Sequence, residues 1–122
     1  QNISGKKSDP FKTIQDGSTA WSYAGVKYNS KHTFYILPSG NIIKGVDISD
    51  WDDLPMGTRL IIDYKGPYLI TAKKTPFSIS GLSYQSQKTI YHIPPNQITT
   101  GDQIVTFTSL PKGTRIFLPL HP

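Results

Sequence analysis

The sequence has no cysteine and no glutamate. The first absence removes disulfides and thiolate metal ligands, and with them any inference of compartment from thiol chemistry. The second leaves eight aspartates as the whole acidic complement. No apolar run approaches the roughly 20 residues that a membrane-spanning helix needs, so no span is expected. No segment keeps a helical apolar period over three turns, which excludes long amphipathic helices. There is no Gly-rich phosphate loop and no paired-histidine motif. His32, His92 and His121 stand singly at unrelated spacings, and no Ser-His-Asp arrangement can be drawn from them. No cofactor is therefore expected.

What is present is a chain of 122 residues with ten prolines, ten glycines and 36% hydrophobic residues. That length suits one compact domain or two very small lobes with a thin core. The start at Gln1 rather than Met is what a processed chain or an excised piece would show. Asn2-Ile3-Ser4 fits the glycosylation acceptor pattern, which is common by chance.

The net charge of +5 is unevenly spread. Residues 10–66 carry six basic and six acidic side chains. Residues 67–122 carry Lys73, Lys74, Lys88, Lys112 and Arg115 against Asp102 alone, a net +4. A basic second half can attract phosphate-rich or sulfated polymers, or simply keep the protein soluble.

The strongest feature is an internal repeat. Shifted by 56 positions, the chain aligns with itself without a gap. Residues 21–64 and 77–120 share 15 identities, among them Tyr28/Tyr84, Thr33/Thr89, Tyr35/Tyr91, Gly45/Gly101 and Ile48/Ile104. Leu54-Pro55 and Gly57-Thr58-Arg59 match Leu110-Pro111 and Gly113-Thr114-Arg115. The expected organisation is a leader, 1–10, and two β units, 11–66 and 67–122.

The segments 32–37 and 88–93 are rich in β-branched and aromatic residues and are stopped by Pro38 and Pro94. Segments 58–62 and 114–118 read as strands launched from a Leu-Pro-x-Gly turn, with Pro presetting φ and Gly closing a type I turn. Segments 68–71 and 103–107 are further strand candidates, and 48–54 suits one helical turn capped by Ser49 or Asp50. The fold class expected is all-β: two tandem, pseudo-symmetric, small β-barrel-like repeats packed together.

An aromatic strand, a loop and then Leu-Pro-x-Gly-Thr-Arg before an apolar strand resembles the tandem Src-homology-3-like repeats of bacterial cell-wall-binding domains. S-layer anchoring repeats are one such group. The resemblance covers about half of each unit, and the aromatic-Gly-Tyr-Val ending of some of those families is missing. It implies a non-catalytic module, secreted or at the cell surface, that binds a polysaccharide or an anionic wall polymer. Double-psi barrels, which also contain two related halves and such a turn, are the competing resemblance, and they imply a small hydrolase.

The candidate ligand-binding residues are Trp51, Tyr35, Tyr91, Lys73, Lys74, Lys88, Arg59 and Arg115. Arginine binds phosphate or carboxylate through a bidentate fork, but beside a turn it also ties down loop carbonyls. Tyr28/Tyr84 and Tyr35/Tyr91 can stack on sugars or fill half-buried strand faces. Trp51 is aligned with Phe107, so it is either a core anchor or, if exposed, a sugar platform beside Asp47, Asp50, Asp52 and Asp53. Those aspartates have no acidic counterpart in 103–109. They could hold a hard cation, act as an acid/base pair, or form a solvated acidic loop. The EF-hand pattern fails, so no metal site is assigned. The charge is lower than nucleic-acid-binding domains usually show, so nucleic acid is not the expected partner. An alternative is a structural subunit of a surface layer or phage particle, with self-association through edge strands or exposed apolar faces.

Overall fold

A computed structural model describes residues 11–15, 19–51 and 54–120. The strands are β1 (Phe11–Thr13), β2 (Thr33–Ile36), β3 (Ile42–Lys44), β4 (Arg59–Ile62), β5 (Tyr64–Leu69), β6 (Ile90–Ile93), β7 (Gln97–Thr100) and β8 (Arg115–Pro119). Two one-turn helices, α1 (Ala20–Ala24) and α2 (Pro76–Ser80), each run into a 3-10 turn, Gly25–Asn29 and Gly81–Gln85. The expected leader, His121 and Asp52-Asp53 lie outside the described residues.

The strands form two four-stranded antiparallel sheets, ordered β1-β4-β2-β3 and β5-β8-β6-β7. These orders are identical after a shift of 56 residues, and α1/α2 and the 3-10 turns that follow them superpose on the same shift. Among the described residues neither sheet closes on itself, so the architecture is two open sheets and not a closed barrel. β5 begins at Tyr64, so it runs across the boundary expected at 66/67. Its extra residues Tyr64 and Lys65 pair with Pro119 and Leu118, beyond a bulge between Lys65 and Tyr68.

The shared residues explain the shared elements. Thr19 and Thr75 cap α1 and α2, their hydroxyls accepting from Ser22 N–H and Ser78 N–H. This pair lies just upstream of the aligned span. The Tyr35 and Tyr91 hydroxyls donate to the Tyr28 and Tyr84 carbonyls at 2.7 and 2.8 Å, and the Thr33 and Thr89 hydroxyls donate to Lys27 and Ser83 carbonyls. Thus each central strand is stitched to the preceding 3-10 turn. Gly45 and Gly101 back onto that turn: a Cβ there would lie 2.6 Å from Tyr28 O and 2.4 Å from Tyr84 O.

The Leu-Pro-x-Gly turn differs from expectation by one position. The Thr58 and Thr114 N–H groups donate to Pro55 and Pro111 carbonyls, so proline opens the turn. Gly57 (φ 93°) and Gly113 (φ 94°) occupy its third position, where positive φ defines a type II turn. The threonine hydroxyls donate to the same proline carbonyls at 2.7 Å.

Segment 103–107 is not a strand. Gly101–Gln103 and Phe107–Ser109 are 3-10 turns, and Val105 is 95% exposed. Its β-branched residues have no neighbouring strand to pair with, so propensity alone does not extend them. The paired strand is β7, just upstream, and its equivalent β3 occupies Ile42–Lys44. In the second copy the one-turn helical element expected at 48–54 corresponds to Phe107–Ser109.

The two sheets share one core. Phe34, Ile36, Ile61 and Tyr64 cluster with Ile90 and Phe117, and the Phe34 and Phe117 rings are 5.0 Å apart. Each such buried side chain contributes about 1.5–3 kcal/mol relative to exposure. Polar bonds reinforce the seam. Tyr64 OH donates to Lys88 O at 2.6 Å, Arg59 Nη2 to Asn96 O at 2.7 Å, and Asn96 Nδ2 to the Leu37 and Pro38 carbonyls.

Candidate functional site

The residues expected to bind ligand divide into two groups. Tyr35 and Tyr91 are fully buried with their hydroxyls engaged by backbone, which corrects the expectation that they present sugar platforms. Desolvation, with a smaller contribution from Tyr28 or Tyr84, raises both phenol pKa values well above the ordinary one. Trp51 is half-buried, edge-on to Tyr28 at 4.9 Å and to Tyr35 at 5.3 Å, and so is a core anchor. Arg59 is spent on the Asn96 carbonyl; burial lowers its pKa from the ordinary guanidinium value, and it remains a cation. Lys73, Lys74, Lys88 and Arg115 are exposed. Asp47 and Asp50 are exposed, and among the described residues no three of His, Asp or Glu gather closely enough to hold a metal ion.

His92 is buried at the seam, with Nε2 3.0 Å from Asn96 Oδ1. Desolvation lowers its pKa; the Asn96 bond opposes this, and Arg115 and Arg59 add to it. A neutral imidazole that donates to an amide oxygen fits this environment, and its role is to hold Asn96 across the two repeats.

An apolar concavity lies where the second copy departs from the first. A cleft of about 760 Å³ is walled by Leu69–Ala72, Pro76, Phe77, Tyr84, Phe107 and Leu110–Lys112. Phe77 stands edge-on to Tyr84 at 5.9 Å, and Tyr84 edge-on to Phe107 at 4.9 Å. Among the described residues, the inner part of the corresponding ground in the first copy is packed as core. Ile14 (6% exposed) and Ala20 (8%) are buried with Tyr35 and Leu60, against Tyr23, Trp51 and Leu54. Their equivalents Ile70 and Pro76 are only half-buried.

Side-chain size accounts for the difference. Trp51 becomes Phe107 and Trp21 becomes Phe77, each losing one fused ring. Phe107 consequently sits 5.8 Å from Tyr91, where Trp51 sits 5.3 Å from Tyr35. Tyr23, whose hydroxyl accepts from Gln15 N–H and so closes α1 onto the preceding chain, becomes Ile79. Met56 becomes Lys112, which puts a cation on the rim.

A second basic rim is close by. Thr71, a wall residue, accepts from Lys73 N–H and Lys74 N–H through its hydroxyl and exchanges backbone bonds with Lys74. The turn that carries both lysines is thereby fixed to the cleft edge. An apolar, aromatic concavity with a few hydroxyls and cations at its margin is the usual form of a small-ligand or sugar-ring site. Tyr84 is one of the tyrosines that the sequence offers for sugar stacking, and Lys112 belongs to the basic excess of the second half. The unread signal was the loss of ring size at aligned positions in the second copy.

Comparison with protein-family models, with curated proteins and with solved structures finds no match for this chain.

Proposed function

We propose that the protein is a non-catalytic binding module for a polysaccharide or an anionic surface polymer, with the aromatic cleft of the second repeat as its site. The observation that carries this reading is the divergence of one architecture into two uses. The first copy buries Ile14 and Ala20 under its aromatic cluster, whereas their equivalents Ile70 and Pro76 are only half-buried and line the cleft beside Phe77, Tyr84 and Phe107. Sugar rings present apolar C–H faces to such a surface, and Lys73, Lys74 and Lys112 supply the attraction for anionic substituents. The resemblance to Src-homology-3-like cell-wall-binding repeats points the same way, and with it a secreted or surface location.

Binding of defined neutral and anionic polysaccharides, measured by calorimetry at low and raised salt, tests this. Phe107→Trp, which restores the first copy's ring, is expected to weaken binding at least tenfold while leaving the fold intact. Lys112→Gln is expected to reduce the salt-sensitive part. Full affinity in both variants would refute the assignment.

One observation favours an assembly role as a second reading. Trp21 and Val26 are exposed in the first copy, and their equivalents Phe77 and Leu82 are exposed in the second, Leu82 at 89%. Exposed apolar residues at matched positions suit contact with other chains. Light scattering at high concentration decides it: a strict monomer removes this reading.

A further inference from the structure

The cationic side chains of the first repeat converge elsewhere. Its net charge of zero hides an uneven arrangement. A small cleft of about 240 Å³, room for about eight waters, is lined by Lys31, His32, Phe34, Lys44, Lys65 and Gly66. Three separate segments bring these residues together. Lys31 and His32 precede β2. Lys44 ends β3, directly across from Phe34 in the β2–β3 register. Lys65 is the second residue of β5, drawn alongside because Tyr64 N–H donates to His32 O at 3.0 Å.

Among the described residues, none of the three ammonium groups has a carboxylate partner. The nearby acid in sequence, Asp63, is held by Lys27 at 2.5 Å. Asp47 faces the adjoining cleft of about 490 Å³, which shares Phe34 and Lys44 and carries Arg115 on its wall. Three lysines on one small concavity repel one another, and low-dielectric walls such as Phe34 concentrate their field. The second copy does not reproduce the arrangement, since Gln87 and Thr100 stand where the first has Lys31 and Lys44.

We propose that this seam cleft is an oxyanion site for a phosphate group. Three converging ammonium groups suit a multiply charged oxyanion better than a singly charged carboxylate, and lysine serves phosphate as a mobile point charge. The site is separate from the aromatic cleft and does not depend on its ligand.

The probe is inorganic pyrophosphate, titrated into the full chain and followed by amide chemical shifts. Saturable shifts are expected at residues 31–34, 44 and 64–66. The double variant Lys44→Gln/Lys65→Gln is expected to weaken binding at least tenfold, and Lys44→Arg/Lys65→Arg to retain most of it. Lys73→Gln/Lys74→Gln and Phe107→Trp are expected to leave it unchanged, so failure of the aromatic-cleft reading would not touch this result. Absence of saturation at the seam, equal binding of acetate, or unaltered affinity in the double glutamine variant would each overturn the proposal.

Discussion

At the residue scale, equivalent positions of the two repeats act as controls for each other. Ser80 Oγ is buried without a hydrogen-bond partner, and its equivalent in the first copy is Ala24. An unmet buried hydroxyl costs about 1–3 kcal/mol. Ser80→Ala is therefore expected to raise stability by about 1 kcal/mol in urea unfolding, and Ala24→Ser to lower it. A destabilised Ser80→Ala would show that the hydroxyl is satisfied in solution. The buried phenols make a second prediction. Desolvation pushes Tyr64 up to about 12 from its ordinary value of 10.0, and Tyr35 and Tyr91 are also raised. The unfolded chain releases these protons at lower pH than the fold does. Stability is therefore complete below pH 10 and declines as pH rises from there through about 12. Thermal melts across this range check it, and Tyr64→Phe is expected to flatten the decline at a cost of the Lys88 bond.

At the scale of elements, the central strands were legible because their signal is redundant. Residues 33–36 and 90–93 combine β-branched and aromatic side chains, a proline stop and alignment at a shift of 56 positions that keeps Thr33/Thr89, Tyr35/Tyr91 and Pro38/Pro94. The edge strands β1 and β3 were not legible. Each is three residues long, too short for a period-two pattern, and each exists because the central strands offer unpaired backbone. Segment 103–107 failed for the converse reason: it has the composition of a strand and no partner to pair with. The helices α1 and α2 span a single turn, so periodicity could not find them, although Thr19 and Thr75 mark their caps. The sugar-platform tyrosines were misplaced because identity between copies signals shared core. Tyr35 and Tyr91 are identical for that reason, and the open cleft sits where Trp51 and Phe107 differ.

At the scale of the whole molecule, the repeats are not independent. Phe34, Ile36, Ile61 and Tyr64 complete their core only with Ile90 and Phe117, and Asn96 and Arg59 bond across the seam. A 56-residue unit alone buries too little apolar surface to offset its chain entropy. Separate fragments 1–66 and 67–122 are expected to lack dispersed amide spectra, and their mixture to regain them; a folded isolated fragment would contradict the shared core. Function is expected to follow the divergence laid over this common frame. The most direct test is an amide-shift titration of the intact chain with an anionic polysaccharide. Perturbations are expected at residues 69–77, 84 and 107–112 and not at their equivalents 13–21, 28 and 51–56. Equal perturbation of both sets, or of the first set alone, would contradict the claim that the second repeat has been opened for binding.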